Sequence, residues 1–254
     1  MNIESTTESV TARNGVPANG ARTPLVLVPG LLCDDMLFAP QVEALSDLAQ
    51  CWVPGLLSEE SMSAMARKVL RDVPFDRFAL AGLSMGGYVC MEIMRQAPER
   101  VTGLGLLDTR AAVDAPEETR RRHDLVRLAQ TARAFQPVTK LMLPLLMHPS
   151  RQQDQALVKA ITDMAERVGV EAYVLQQRAI ISRPDSRSDL RRVRVPSIVV
   201  CGRQDALTTL AQHEEMAALI PGAELVVIEE CGHISSLERP EDVTAALRNW
   251  LKRI

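Results

Sequence analysis

Short apolar runs alternate with helix-patterned segments along most of this chain, and three of the six runs are followed directly by glycine or proline. The runs cover residues 25–28, 51–53, 78–81, 101–107, 196–200 and 225–228. Between them, apolar residues recur every three or four positions, which is the spacing of a helix that buries one face. Strands that alternate with helices form a parallel sheet covered on both faces. The sequence therefore predicts an α/β fold built on a mostly parallel sheet.

The alternation stops in the middle of the chain and then resumes. Residues 111–190 contain helical patterns but no convincing strand, which predicts a helical cap, or lid, over one edge of the sheet. The α/β core is then formed by residues 23–110 and 191–254. Residues 1–22 are rich in Ser, Thr, Asn and Gly and show no periodicity, so we expect a flexible N-terminal tail.

Composition and charge exclude several classes of protein. The chain has 254 residues, of which 46% are hydrophobic, and its net charge is −3. This balance gives no basic field for nucleic acid or an anionic membrane, and no apolar run reaches the length of a membrane span. The polar N-terminal segment does not resemble a secretory signal. Five cysteines without a C-x-x-C pair do not predict disulfides or zinc. We expect a cytoplasmic protein with reduced thiols.

The end of the third predicted strand carries the motif G-x-S-x-G. Gly82, Ser84 and Gly86 lie between this strand and the following helix, where a sharp turn would raise the serine hydroxyl above the sheet. Glycine is needed on both sides because the turn leaves no room for side chains. The N–H of Met85 opens the helix and would face a developing oxyanion. This pattern predicts a nucleophilic serine at position 84.

A serine nucleophile requires a base, and His233 is the candidate. It follows the last predicted strand and so lies at the same sheet edge as Ser84. The other histidines are His123, His148 and His213. The first two fall in the predicted cap. His213 lies in a predicted helix beside two glutamates, where we expect it to be solvated.

The histidine in turn requires an orienting acid, and two aspartates follow strands. Asp205 comes shortly after the fifth strand and 28 residues before His233, which makes their strand ends neighbours. Asp108 follows the fourth strand and is the competing candidate. We favour Asp205 because it gives the chain order serine, acid, histidine that this topology is expected to have. The predicted triad is Ser84, Asp205 and His233.

These motifs make the chain similar to the α/β-hydrolase family, specifically to its small capped esterase-like members. The resemblance extends over residues 24–254. It rests on the segments at 82–87, 202–205 and 232–233, with support from 29–32, Phe38, Gln41 and 238–240. The resemblance implies that the N–H of Leu31 is a second oxyanion donor beside that of Met85.

Two features depart from the family pattern. The loop after the first strand reads Pro29-Gly30, where the family often has His-Gly. The histidine that the family has at this position performs no chemistry. We therefore expect its replacement by Pro29 to change only how the loop is held in place, and to leave the activity intact. In addition, residues 1–22 show no pair of strands, so the opening hairpin of the family is not evident and the sheet is expected to have six strands.

The leading functional expectation is a carboxylesterase-like serine hydrolase that acts on a small or medium ester, thioester or lactone. A first alternative is an esterase or thioesterase for acyl chains on an acidic carrier protein, which Arg121 and Arg122 of the predicted cap would bind. A second is a carbon–carbon hydrolase or lyase on the same triad. The non-enzymatic alternative is a ligand receptor on this scaffold.

No cofactor or metal is expected from the sequence. Gly103-x-Gly105 is followed by Asp108 where a dinucleotide-binding loop requires glycine, and no Gly-Lys-Ser/Thr phosphate loop is present. The histidines do not show the pairwise spacing of metal ligands. The expected partner is a small acyl substrate.

Overall fold

Six strands form one sheet in the computed structural model, which describes residues 22–132 and 136–254 without the side chains at 132 and 136–140. The strands are β1 (Thr23–Val28), β2 (Ala49–Trp52), β3 (Phe78–Leu83), β4 (Val101–Leu107), β5 (Ser197–Gly202) and β6 (Glu224–Ile228). Their order is β2-β1-β3-β4-β5-β6, and all five pairings are parallel. The predicted parallel sheet is confirmed. The predicted tail, residues 1–22, lies outside the described residues except for Arg22.

Helices cover both faces of the sheet because successive residues of each strand point to opposite sides. Val26 and Val28 of β1 join one core cluster, whereas Leu25 and Leu27 join the other. The sheet-covering helices are α1 (Ala39–Ala44), α2 (Met62–Asp72), α3 (Met85–Gln96), α8 (Leu210–Leu219), α9 (Ser235–Glu238) and α10 (Pro240–Leu251). Residues of α2, α3 and α8 belong to the first cluster and residues of α10 to the second, where Trp250 is fully buried.

The strand register brings the functional loops together. Leu83 pairs with Leu107, Leu107 pairs with Val200, and Gly202 pairs with Ile228. The segments after β3, β4, β5 and β6 consequently leave the sheet at one edge. In open α/β sheets this carboxyl edge is where ligands bind.

The segment between β4 and β5 contains four helices in its described part. They are α4 (Pro116–Ala132), α5 (Gln136–Leu146), α6 (Gln155–Ile181) and α7 (Arg187–Leu190). We call residues 111–190 the cap. α6 contains a kink at Gly169, whose φ of 82° is a value that a side chain disfavours. No helix in the described ranges is both long and apolar enough to cross a membrane.

Candidate active site

Ser84 occupies a strained turn between β3 and α3. Its φ of 55° and ψ of −115° lie in a region that residues with a side chain rarely adopt. The flanking glycines permit this turn: a Cβ on Gly82 would lie 2.4 Å from the backbone of Gly86, and one on Gly86 would lie 2.0 Å from the carbonyl oxygen of Val28. The predicted strand–turn–helix context of the motif is therefore present.

Three side chains predicted from the sequence meet at this turn. His233 Nε2 lies 2.9 Å from Ser84 Oγ, and His233 Nδ1 lies 2.8 Å from Asp205 Oδ2. His233 and Asp205 are buried, whereas Ser84 is partly exposed. The distances place serine, histidine and carboxylate in one hydrogen-bonded chain, which is the arrangement of a nucleophile, a base and an orienting acid.

Thr208 holds the carboxylate of Asp205 in place. Its hydroxyl donates to Asp205 Oδ2 at 2.7 Å, and its N–H donates to Oδ1 at 2.9 Å. The N–H of Leu207 donates to the same Oδ1 at 2.8 Å. Hydrogen bonds to the charged form stabilise a carboxylate. The loop after β5 thus fixes both the charge and the orientation of Asp205.

Asp205 and His233 form a buried pair, and each residue shifts the pKa of the other. Burial alone would raise the pKa of Asp205, but the adjacent His233 and the hydrogen bonds from Thr208 bring the pKa below its usual range. Burial alone would lower the pKa of His233, but Asp205 outweighs this effect and the pKa of the imidazole is raised. The Asp205 carboxylate therefore stabilises the imidazolium that forms when His233 accepts a proton.

The two candidate oxyanion donors are located next to Ser84. Met85 is the first residue of α3, and Leu31 lines the cavity above Ser84. In the part of the chain that is described, neither backbone N–H donates to a loop or turn carbonyl. The loop of Leu31 passes close to the nucleophile, since a Cβ on Gly30 would lie 3.4 Å from Ser84 Cβ. Both N–H groups remain available to an incoming oxygen.

A cap residue that the sequence did not point to holds the loop after β1. Gln176 of α6 is 1% exposed, and its Oε1 accepts the N–H of Leu32 at 3.2 Å. Its Nε2 donates to the carbonyl of Leu57 at 2.7 Å. Leu32 has a φ of 61°, which is unusual for a leucine. The available signal was a pair of uncharged polar residues, Gln176-Gln177, within a mostly apolar helical run.

The competing acid, Asp108, lies near the triad but does not contact His233 through a hydrogen bond. Its carboxylate accepts the N–H of Gly202 at 3.2 Å and the N–H of Ser235 at 3.1 Å, and also the hydroxyl of Ser235. Burial and the nearby Asp205 raise the pKa of Asp108 to about 8. Asp108 therefore ties together the segments that carry Asp205 and His233.

The expectation that His213 is solvated was wrong. The side chain is fully buried, because α8 turns this face toward the sheet. Nδ1 lies 3.0 Å from the carbonyl of Thr209, and Nε2 accepts the N–H of Thr109 at 3.0 Å. Donor and acceptor atoms of Asp108, Asp205 and His213 lie within 4.8 Å of one another. Both nitrogens of His213 are engaged by backbone groups, so the imidazole has no lone pair for a metal.

A cavity separates the triad from the cap. Ser84 and His233 lie at its base, and its volume is about 1210 Å³ when the open mouth is included. Much of the wall is apolar and comes from both the core and the cap, including Leu31, Leu83, Leu125, Met142, Leu146, Ile161, Ile180 and Ile234. The size and lining suit a small organic molecule whose reacting group is directed at Ser84.

The two cap arginines named from the sequence differ in their surroundings. Arg121 is exposed, whereas Arg122 is partly buried and donates to Asp114 and to Gln177 Oε1. Both line the cavity. The guanidinium of Arg122 is therefore already engaged by acceptors within the protein, and Arg121 is the more accessible cation.

Known proteins match the chain in sequence. It is 28% identical over 178 residues to 3-oxoadipate enol-lactonase 2 of Acinetobacter baylyi, covering 68% of this chain and 62% of the lactonase. It is 26% identical over 239 residues to a pimeloyl-[acyl-carrier protein] methyl ester esterase of Nitrosomonas europaea, covering 89% and 94% of the two chains. The Neisseria meningitidis protein of the same name matches at 26%, with 77% of this chain and 62% of its own length. The chain thus spans about three fifths of two of these relatives.

The fold is also found in solved structures. A thermophilic esterase from Thermogutta terrifontis, solved with malate bound, has a TM-score of 0.85 and 30% identity, and 92% of each chain is covered. The family model described as the alpha/beta hydrolase fold matches residues 55–240. That range includes the serine turn, the cap and both strand-end residues of the hydrogen-bonded chain. The chain belongs to the alpha/beta hydrolase fold family.

Proposed function

We propose that this chain is a serine hydrolase that cleaves a small or medium ester, thioester or lactone through an acyl-enzyme. The observation that carries the proposal is the hydrogen-bonded chain from Ser84 through His233 to Asp205, with distances of 2.9 and 2.8 Å. A hydroxyl at its ordinary pKa is a poor nucleophile. In this hydrogen-bonded series, His233 is the base that activates the hydroxyl of Ser84, and Asp205 is the acid that orients His233.

The mechanism follows from the position of each group. His233 Nε2 accepts the proton of Ser84 Oγ as the serine oxygen attacks the acyl carbonyl. The N–H groups of Leu31 and Met85 stabilise the resulting oxyanion, and a donor of this kind contributes about 3–4 kcal/mol to the transition state. His233 then gives its proton to the leaving alcohol. Asp205 stabilises the imidazolium, and a water molecule activated by His233 releases the acid.

The names of the relatives support ester bonds as the target. One matched relative is named an enol-lactonase, others are named methyl ester esterases, and a matched structure is an esterase. These names suggest two probe types, an enol-lactone and a series of methyl esters. The cavity over Ser84 provides the space that such acyl groups require.

The test is hydrolysis of a panel by the purified chain and by two variants. The panel contains p-nitrophenyl esters from acetate to decanoate, methyl esters of the same acids, and an enol-lactone. We expect turnover of at least one substrate and a loss of about 10⁴-fold or more in Ser84→Ala and in His233→Ala. The double variant should be no worse than the worse single variant, because the two groups act as a unit. Tight binding without turnover of any panel member would contradict the proposal and favour a receptor.

A second candidate is an esterase for acyl chains held on an acidic carrier protein. It is favoured by the exposed Arg121 at the cavity and by the relatives named for carrier-protein esters. Arg121→Glu should then reduce kcat/KM for a carrier-bound methyl ester far more than for the same methyl ester free in solution. An equal effect on both substrates would contradict carrier recognition.

A further inference from the structure

Positive charge is concentrated in one part of the cavity wall. Arg110, Arg121 and Arg122 line the cavity where the end of β4 meets the cap. The acidic side chain in the lining is Glu118. Arg110 lies two residues beyond Asp108, so the same loop that contributes to the sheet edge carries a guanidinium into the wall.

The carboxylates next to these arginines do not balance their charge. Asp114 is 2% exposed in its side chain and pairs with Arg110, Arg122 and Arg183. Glu118 pairs with Arg110. Asp185 is a further carboxylate close to Arg183. Four guanidinium groups, that of Arg121 included, thus stand against three carboxylates, which leaves one positive charge in excess within this cluster.

Three of these four guanidinium groups retain unused hydrogen-bonding capacity. Among the described residues, Arg121 has no acidic side chain within ion-pair distance and no hydrogen-bond acceptor. The buried Nε atoms of Arg110 and Arg183 have no acceptor either, and of these two residues Arg110 lines the cavity. A buried donor without a partner is costly, and a charged acceptor in the adjoining cavity would stabilise this cluster.

The remaining lining residues of the cavity determine which ligand could contact both the arginines and Ser84. Apart from Ser84, His233 and the charged side chains, much of the lining is apolar and includes Leu125, Met142 and Ile180. An apolar stretch of substrate would be stabilised there by burial. A ligand that matches the whole lining therefore combines a reacting group for Ser84, an apolar part and an anion for the arginines.

We propose that the cavity binds esters that carry a carboxylate separated from the scissile bond by an apolar chain, and that Arg121 is the principal contact of this carboxylate. This inference rests on the proposed ester hydrolysis and names its substrate class. Arg110 and Arg122 supply the positive field, and Arg121 supplies the free donors. Guanidinium and carboxylate match in a two-point hydrogen bond, which makes arginine the suitable residue for this contact.

The test compares substrates that differ in one charge and little else. Monomethyl adipate is paired with its neutral amide, methyl adipamate, which places the anion on the acyl side. The acetate ester of 6-hydroxyhexanoate is paired with the corresponding amide, which places it on the alcohol side. For one of the two pairs, we expect kcat/KM to be roughly tenfold higher for the carboxylate than for the amide, the size of one charged hydrogen bond in a partly desolvated site. The preference should decrease as salt is added.

Three variants assign the preference to Arg121. Arg121→Met should reduce it about tenfold, through KM, and Arg121→Lys should retain part of it because the charge remains. The matched control is Arg120→Met: Arg120 is exposed on the same helix, pairs with Glu117 and does not line the cavity. This control should leave the preference unchanged.

The outcomes that overturn the inference differ from those that overturn ester hydrolysis. Equal kcat/KM within both pairs, or equal effects of Arg121→Met and Arg120→Met, would contradict a carboxylate site. So would a preference seen only when the ester is attached to a carrier protein. Should none of the esters be hydrolysed, calorimetric titration of Ser84→Ala with monomethyl adipate and methyl adipamate decides the question. Tighter binding of the carboxylate supports the site, and equal binding refutes it.

Discussion

Gln176 in the cap accepts the backbone N–H of Leu32 at 3.2 Å, which attaches the cap to the loop that carries the candidate oxyanion donor Leu31. The same side chain donates to the carbonyl of Leu57, so the glutamine is held at both ends of its amide. Leu32 has a φ of 61°, so the loop adopts an unusual conformation at the point where it meets the cap. Gln176 thus links the cap to the loop after β1 and to the segment that carries Leu57.

The first prediction concerns this attachment. Gln176→Leu removes the acceptor and the donor, so the loop relaxes and the N–H of Leu31 moves away from the oxyanion. Because complete loss of an oxyanion donor costs about 10²–10³ in kcat, we expect kcat to fall by roughly 10- to 100-fold, with a smaller change in KM. Steady-state kinetics on the best ester give both constants. Gln155→Leu, at an exposed position of the same helix, is the control. A change confined to KM would contradict the role of Gln176.

The second prediction concerns the acidic limb of the pH profile. His233 acts as a base only when neutral, and Asp205 raises the pKa of the imidazole above its ordinary value of 6.5. A base with a raised pKa stays protonated to higher pH, so kcat/KM should rise with pH through a midpoint above 6.5. The measurement is kcat/KM from pH 5 to 9 on an ester that is itself stable. A midpoint at or below 6.5 would show that the Asp205 charge does not control His233.

The third prediction separates the two buried aspartates. Asp205→Asn removes the carboxylate that orients His233, and the loss in kcat should be about 10⁴-fold, as for other triads that lose their acid. Asp108→Asn should be much less damaging, since Asp108 contacts Gly202 and Ser235 instead of the imidazole. Parallel kinetics on both variants test this ranking. The reverse ranking would assign the acid to Asp108.

The fourth prediction concerns stability. Asp114 is buried among three arginines, and removal of its charge leaves them without their shared partner. Asp114→Asn should lower the free energy of unfolding at pH 7 by about 3 kcal/mol, whereas Asp124→Asn, at an exposed ion pair, should change it by at most about 0.5 kcal/mol. Urea denaturation gives both values.

The stability difference for Asp114 should also depend on pH. Burial would raise the pKa of its carboxyl, but Arg122 and Arg183 outweigh this and lower the pKa to about 2. A carboxylate with a depressed pKa stabilises the fold above its ordinary pKa of 3.8 and loses that effect as pH falls toward 2. The difference between the original chain and Asp114→Asn should therefore shrink below about pH 5. A difference that is constant down to pH 3 would contradict the charged state assigned to Asp114.

The sheet could be predicted from the sequence because its strands are short and mostly apolar, and several are followed by turn residues. The segment 78–83 is buried at every position, and parallel strands of this kind have no polar face to obscure their pattern. The serine, histidine and aspartate could be predicted because each follows a strand, and the ends of strands in a parallel sheet share one edge. Local signals and topology agreed at these positions.

Residues whose roles depend on tertiary contacts could not be predicted. His213 lies beside two glutamates in sequence, yet its helix buries it against Thr109. Gln176 contacts residues more than 100 positions away, and Arg110 becomes a cavity residue only when the cap folds over the sheet. Helical periodicity identifies a buried face but not the neighbour that covers it. Hydrogen bonds between residues far apart in the sequence are therefore evident only from the folded structure.

The most direct test of the central claim is labelling of the purified chain with a fluorophosphonate, followed by intact mass and peptide mapping. An activated serine reacts with this reagent, whereas ordinary serines do not. We predict one adduct, located on Ser84, and no adduct in Ser84→Ala or His233→Ala. Unmodified protein, or an adduct on another residue, would contradict the assignment of Ser84 as a nucleophile activated by His233.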